Sequence, residues 1–143
     1  MTQKALEELL HRQIPLSKFM QVEVTMTETQ VELQSELTPN HNHLGTAFGG
    51  SLSCLMILAG YCQIFRLLNE SGHVVVKSTT MNFNHPVEEK LKAVCSGPSP
   101  EEATEFLKMY NKKGKARLQL NSQIILSDGR VACTMTGEFV GIQ

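Results

Sequence analysis

The sequence lacks an excess of charge of either sign. Its 143 residues include 13 lysines and arginines and 14 aspartates and glutamates, which gives a formal net charge of −1. Binding to nucleic acid or to an anionic membrane favours a strongly basic protein, so the balance argues against both partners. No acidic residue occurs between residues 37 and 69. A site formed by that segment therefore has no carboxylate of its own.

Cysteine pairs of the C-x-x-C kind are also absent. The four cysteines are Cys54, Cys62, Cys95 and Cys133, and three of them lie in apolar or alternating stretches that are typical of buried thiols. No charged segment followed by an apolar stretch opens the chain, so we expect no secretory signal. These features predict a cytoplasmic protein with free thiols.

The longest uncharged run, Leu44–Phe65, has the length of a transmembrane helix. Glycines and four polar residues interrupt it, namely Thr46, Ser51, Ser53 and Gln63. A helix that is apolar on all sides is buried either in a protein core or in lipid. The interruptions favour a core helix wrapped by a sheet, and we expect no membrane-spanning segment.

The spacing of apolar residues predicts the element order α-ββ-α-ββ-α-ββ. Leucines at helical spacing indicate an amphipathic helix in residues 2–13 that ends before Pro15. Ser99 and Glu102 form a capping box for a later helix, which Gly114 ends. The central helix is expected near residues 49–69. Alternating or β-branched segments predict strands in residues 20–26, 31–37, 74–83, 91–96, 116–126 and 131–139.

These elements predict an α+β fold in a single domain spanning residues 1–143, since the length suits one domain and no linker or repeat occurs. Six mostly antiparallel strands and one long apolar helix pack best when the sheet curls around the helix. A sheet that is only half covered in this way needs a partner, and we expect a second copy of the chain.

A polar, glycine-rich loop leads directly into the central helix and is the best candidate for a catalytic site. Gly49 and Gly50 leave backbone N–H groups unpaired at the positive end of the helix dipole, where they can hold an oxyanion. Asn42 is predicted to orient the substrate carbonyl or a water. His43 is the candidate base, because imidazole titrates near neutral pH.

Each of these assignments has a structural alternative. The two glycines could serve only tight packing of the helix on a strand, and His43 could simply bond a backbone carbonyl across an interface. Ser51, Ser53 and Cys54 lie where a helix start activates nucleophiles, yet a buried Cys54 is the favoured interpretation. His41 and His43 lack a third ligand nearby, so no metal is predicted.

The only basic cluster lies after the capped helix. Its members are Lys112, Lys113, Lys115 and Arg117, and such a cluster can bind the phosphates of a coenzyme A nucleotide. A solvated helix end is the competing interpretation, because lysines are favoured near helix C-termini in any case.

The loop and helix start resemble a known family. Residues 42–50, which are Asn-His-Leu-Gly-Thr-Ala-Phe-Gly-Gly, resemble the Asn-x-x-Gly-x-x-His-Gly-Gly segment of PaaI-type hot-dog thioesterases. The chain resembles more closely, over nearly its whole length, the thioesterase-like C-terminal domain of YiiD-type acetyltransferases. The segments that carry this likeness are residues 14–20, 45–52, 86–87 and 113–117.

This resemblance implies a hot-dog fold, in which an antiparallel six-stranded sheet wraps a long central helix. It also implies a homodimer or dimer of dimers whose subunits share acyl-thioester sites, with Phe48, Ser51, Lys113, Lys115 and Arg117 in contact with substrate. No cofactor is implied. The chain departs from the PaaI pattern at two positions, since Phe48 replaces a histidine and Ile57 replaces a carboxylate.

Two functions follow from these residues. The first is a thioesterase that hydrolyses an acyl-CoA or acyl-carrier thioester at the N-terminus of the central helix. The second is a non-hydrolytic module for acyl-thioester binding or for dimerisation, associated with an acetyltransferase. Asn42, Gly49 and Gly50 favour the enzyme, whereas the missing carboxylate at Ile57 favours the module, because base catalysis contributes about a hundredfold or more in rate.

Overall fold

The computed structural model describes residues 1–143 and confirms the predicted succession of helices and strands, with one short helix added. The elements in chain order are α1 (Gln3–Gln13), α2 (Pro15–Phe19), β1 (Glu23–Met26), β2 (Gln30–Ser35), a 3-10 turn (Thr38–Asn40), α3 (Gly49–Leu68), β3 (His73–Phe83), β4 (Leu91–Ser96), α4 (Pro100–Lys113), β5 (Lys115–Ile125) and β6 (Val131–Ile142). The added helix is α2. Pro15 stops α1 as expected, and its fixed φ then suits the first position of a new helix.

The six strands form one antiparallel sheet in the order β1-β2-β4-β5-β6-β3. The sheet curls around α3, which packs against five of the strands. Leu55, Met56 and Ile64 on this helix are completely buried. Apolar residues of β5 alternate with exposed polar ones, because only one face of the strand meets the helix. This is the α+β arrangement that the resemblance implies.

The central helix has the length and composition of a membrane span, but most of it is buried inside the protein. A helix that is enclosed by its own sheet has the same apolar composition as a helix that spans a membrane. The apolar character of α3 is therefore explained by its place in the core.

Close approach and polar anchors fix α3 within the sheet. A Cβ atom on Gly60 would lie 2.3 Å from the ring of Phe139, so only glycine allows the helix to sit this near β6. The Gln63 amide donates to Cys95 O at 2.7 Å, and the Arg66 guanidinium donates to Thr27 O at 2.8 Å. These contacts hold the helix in register with β4 and the β1–β2 hairpin.

The two edges of the sheet differ. Along β1, three side chains of α1 form hydrogen bonds with backbone groups of the edge. The Gln3 side chain accepts from Met26 N at 3.1 Å, the Glu7 carboxylate accepts from Val24 N at 2.8 Å, and the His11 ring bonds Val22 O at 2.7 Å. The other edge, β3, carries no such cover and exposes most of its side chains.

Candidate functional site

The start of α3 presents three unpaired backbone amides. Phe48 is the N-cap residue, and its side chain makes no capping hydrogen bond. The first amide of the helix to find an acceptor is Leu52 N, which bonds Phe48 O at 3.1 Å. The N–H groups of Gly49, Gly50 and Ser51 have no acceptor within the protein. This is the geometry expected for an oxyanion or carbonyl site at a helix N-terminus.

Asn42 organises the loop that delivers the chain to this helix. Its carboxamide oxygen accepts from Leu44 N at 2.8 Å and from Thr46 N at 3.2 Å, while its amide donates to Thr46 Oγ1 at 2.8 Å. Gly45 adopts a φ of +80° in the same turn, a conformation that favours glycine. Asn42 therefore stabilises the loop through these hydrogen bonds. Its contact with substrate stays a prediction.

Phe48 lies against the helix start rather than away from it. A Cβ atom on Gly50 would lie 2.3 Å from the Phe48 ring, so the glycine lets the ring fold over the first turn. Gly49 differs, because the nearest atom to its Cβ position is on Phe83 of β3, 4.0 Å away. Gly50 thus serves the close approach of the Phe48 ring, and the role of the two glycines in holding an oxyanion stays a prediction.

The Ser53 hydroxyl and the Cys54 thiol are not arranged as nucleophiles. Ser53 Oγ donates to Gly49 O at 2.8 Å, which engages its proton within the helix. Burial raises the pKa of the Cys54 thiol above its ordinary value, whereas a nucleophilic cysteine needs a lowered pKa. Neither Ser53 nor Cys54 is therefore favoured as a nucleophile.

The two loop histidines lie at the surface. The His41 ring bonds Asn42 O at 2.9 Å, and the exposed His43 makes no hydrogen bond within the protein. His43 is thus free to reach a bound substrate or a partner subunit, and its role as a base stays a prediction. Ile57, at the position of the missing carboxylate, is half buried and packs against the core.

The basic residues lie at the other end of the central helix. Lys113, Lys115 and Arg117 line a cavity of about 790 Å³ between α4 and β5. Arg117 also pairs with Glu138 at 3.5 Å. α4 packs near the C-terminal end of α3, since a Cβ on Gly141 would contact both Phe106 and Leu68. α3 has 20 residues and is about 30 Å long, so the cluster and Gly49 lie toward opposite ends of this helix.

Sequence reasoning missed a cleft beside the helix start. α2, the 3-10 turn and the first turns of α3 enclose about 300 Å³. Phe48 and Ser51, both predicted to contact substrate, lie on its wall, and so do Leu16 and Phe19 of α2. Pro15 at a helical first position was the available signal for α2. The buried Asn40 also lines the cleft, and nothing local in the sequence distinguishes it from the exposed polar residues nearby.

The curled sheet, the enclosed helix and its uncovered amides define a hot-dog protein. The chain matches the family model described as Putative thioesterase (yiiD_Cterm) over residues 3–143 and belongs to that family. No curated protein matches the sequence significantly.

Solved structures agree on the fold. A protein of unknown function from Chlorobaculum tepidum TLS shares 26% identity at a TM-score of 0.91, over 99% of this chain and 94% of that chain. A putative thioesterase from Shewanella oneidensis shares 23% identity at a TM-score of 0.85, over 99% of this chain and 97% of that chain. The E. coli PaaI protein of the phenylacetic acid degradation operon shares 14% identity at a TM-score of 0.69, over 97% of this chain and 92% of that chain.

Proposed function

We propose that this protein hydrolyses an acyl thioester, carried by coenzyme A or by an acyl carrier, at the N-terminus of α3. The observation that carries the proposal is the set of unpaired amides at Gly49, Gly50 and Ser51 in a chain of the thioesterase family. We also propose that the enzyme is cytoplasmic and uses no metal or cofactor.

In this reaction a water attacks the thioester carbonyl carbon, and negative charge develops on the carbonyl oxygen. The amides of Gly49 and Gly50 donate to that oxygen at the positive end of the helix dipole. The tetrahedral intermediate then collapses, the C–S bond breaks, and the thiolate takes up a proton. The products are a carboxylic acid and a free thiol. A donor of this kind is worth about a hundredfold to a thousandfold in rate.

The base that accepts the proton of the attacking water is assigned to His43. The carboxylate of the PaaI pattern is replaced by the half-buried Ile57, and residues 37–69 contain no other acid. An exposed imidazole without hydrogen-bond partners in the protein is free to bond a water at the loop surface.

The enzyme is proposed to be a homodimer, or a dimer of dimers, joined through β3. A bare 11-residue edge strand is rarely left unpaired in a monomer, and α1 already covers the other edge through Gln3, Glu7 and His11. Phe83 at the end of β3 is 51% exposed although it points to the helix side of the sheet, beside Gly49. Pairing with a second β3 would bury this edge.

Antiparallel pairing of two β3 strands would also bring the basic cluster of one copy toward the start of α3 in the other copy. Lys115 pairs with Ile142, which pairs with His73 at the start of β3, whereas Phe83 at the strand end lies beside Gly49. A dyad near the middle of β3 sets the His73 end of one copy against the Phe83 end of the other. Lys115 of the second copy would then lie about 10 Å from that edge, two strand spacings away.

The substrate in this arrangement runs between the two copies. Its carbonyl lies at Gly49 and Gly50 of one copy, and a coenzyme A nucleotide would place its phosphates near Lys113, Lys115 and Arg117 of the other. The second interpretation, a non-hydrolytic binding or dimerisation module, gains no support from the family or from the similar structures.

The proposal is tested by assaying a panel of acyl-CoA esters for free thiol release, with binding measured in parallel. We expect free thiol release from the esters that the protein binds. His43→Gln should lower thiol release about a hundredfold or more and leave binding intact. Binding without thiol release at any pH would instead establish the non-hydrolytic module.

A further inference from the structure

The first half of β5 has no strand beside it on the side that faces β4. β5 pairs with β6 from Lys115 onward, but β4 pairs only with residues 122–124 of β5. The chain leaves the sheet after Ser96, where β4 ends, and α4 then packs against β5. The sheet therefore contains an internal edge along residues 115–119, which is about 14 Å long.

Three residues of this edge direct both of their backbone groups away from β6. In an antiparallel pair, residues that exchange hydrogen bonds with the neighbouring strand alternate with residues that do not. Gly114 O accepts from Gln143 N at the start of the β5–β6 ladder, so the residues that bond β6 are the even-numbered ones. Lys115, Arg117 and Gln119 therefore face the vacant side, where no turn or loop residue bonds their backbone groups.

α4 leaves space along this edge. Two cavities of about 790 and 610 Å³ lie beside β5, and both have Glu102 and Gln119 in their walls, so they form one groove. We call it the α4–β5 groove. A helix often covers a sheet edge and so prevents strand addition, but here the space between the helix and the strand leaves the edge accessible.

The side chains along the groove alternate between two kinds. Lys115 and Arg117 are exposed on the outer face of the sheet, whereas Ala116 and Leu118 are buried on the inner face. Met109 of α4 also lines the groove and is 41% exposed. A strand paired with residues 115–119 would place its own side chains alternately on these two faces. Acidic residues opposite the two cations and apolar residues opposite the inner pair complement this pattern.

We propose that the α4–β5 groove binds an extended peptide segment of another protein, which adds to β5 as a strand. The segment alternates acidic and apolar residues and runs antiparallel to β5, the commoner arrangement of paired strands. A basic residue at its N-terminal end meets Glu102, which lies at the Gln119 end of the groove. Backbone hydrogen bonds supply the affinity, and the side chains select the partner.

This inference does not rest on the proposed hydrolysis. Lys113, Lys115 and Arg117 are shared with the proposed phosphate site, so the peptide and a coenzyme A nucleotide of the second copy would exclude each other. Peptide binding to a protein that releases no thiol would still support the groove, and thiol release without peptide binding would overturn the groove alone.

The first test titrates the protein into the fluorescein-labelled peptide Thr-Lys-Val-Glu-Val-Glu-Thr and measures fluorescence anisotropy. In the antiparallel register its two glutamates face Arg117 and Lys115. We expect saturable binding that is about tenfold tighter than that of Val-Val-Lys-Thr-Glu-Glu-Thr, which has the same composition without the alternation. Absence of binding, or equal binding of the two peptides, would overturn the proposal.

The second test examines backbone pairing through N-methylation of single peptide residues. A methyl group on the first glutamate removes an N–H that points to Arg117, and it should weaken binding about tenfold or more. A methyl group on the first valine is the matched control, because the N–H of that residue points away from β5. Equal effects of the two methyl groups would overturn strand addition.

The third test changes the edge itself. Gln119→Pro removes an N–H that faces the groove and no hydrogen bond to β6, and proline is tolerated at such edge positions. It should weaken peptide binding about tenfold, whereas Gln119→Thr keeps the N–H and should bind as the wild type does. If the proline variant does not fold, the methylated peptides decide the question. If it folds, dissociates in sedimentation and the wild type binds no peptide, a second copy occupies the edge and the proposal is overturned.

Discussion

Asn42 shows how one side chain serves both the architecture of the loop and the proposed chemistry. Its carboxamide oxygen accepts two backbone amides, and its amide bonds Thr46 Oγ1. The loop leads within a few residues to the free amides of Gly49 and Gly50. A substitution at this position therefore acts on the loop and on the site together, and the two effects must be separated.

We predict that Asn42→Ala lowers turnover by about tenfold to a thousandfold, the range for losing a polar group that stabilises developing charge. It should also lower stability by about 1 to 3 kcal/mol, because Leu44 N and Thr46 N lose their acceptor. Kinetics and thermal unfolding measure the two effects.

Asn42→Asp is the control for the loop, since it keeps the acceptor for Leu44 N and Thr46 N, replaces the amide donor with oxygen and adds a negative charge. Loss of turnover with wild-type stability in this variant would separate damage to the site from damage to the loop. Full activity in Asn42→Asp, with damage confined to Asn42→Ala, would reduce the role of the residue to loop structure.

Among the elements, α1 acts as a substitute for a seventh strand. Gln3, Glu7 and His11 are spaced four residues apart, so they share one face of the helix. They bond alternate residues of this edge, namely Met26 and Val24 of β1 and Val22, which directly precedes β1. Leu6, Leu9 and Leu10 on the neighbouring face are buried in the core. The helix thus closes one sheet edge and leaves β3 as the edge open to a partner.

We predict that Glu7→Ala lowers the free energy of unfolding by about 1 to 3 kcal/mol, because Val24 N loses its acceptor in a partly buried position. Glu8→Ala is the matched control on the exposed face of the same helix. Urea unfolding of the two variants measures the difference. Equal stabilities would mean that α1 covers the β1 edge through its leucines alone.

At the scale of the whole molecule, the candidate residues divide into two groups at opposite ends of α3. The helix start holds the free amides, and the far end holds Lys113 and Lys115. In one copy the proposed carbonyl site and the proposed phosphate site therefore lie at opposite ends of the helix. In the proposed dimer through β3, each group of one copy would lie near the complementary group of the other.

We predict that the protein sediments as a dimer or a dimer of dimers at micromolar concentration, and that two damaged variants complement each other. Asn42→Ala carries an intact basic cluster, and a Lys113→Ala/Lys115→Ala variant carries an intact helix start. Random mixing of such chains in two-fold dimers should restore about a quarter of the wild-type activity.

Each variant measured alone at the same total concentration is the control. A monomer in sedimentation would rule out a site shared between copies. Dimers whose mixture is no more active than the average of the two variants would show that each site is built from a single chain.

The sequence alone was sufficient for the general fold and for the helices and strands other than α2. Alternation of apolar residues marked β5 and β6, the capping box of Ser99 and Glu102 marked α4, and the uncharged run marked α3. These are local signals, because burial of one face imposes its period on the residues of that element alone. The loop motif likewise located Gly49 and Gly50 at the helix start before any geometry was known.

Only the tertiary structure decided what depends on residues far apart in the chain. The pairing of β3 with β6 and of β4 with β2 sets which edge is bare and where Lys115 lies relative to Gly49. The cleft forms because α2 packs beside the first turns of α3, which brings Phe19 and Cys54 together across 35 positions. Strand order and such contacts arise from the packing of whole elements. The apolar faces of these elements carry similar sequence patterns, so the sequence of one element does not show which other element it packs against.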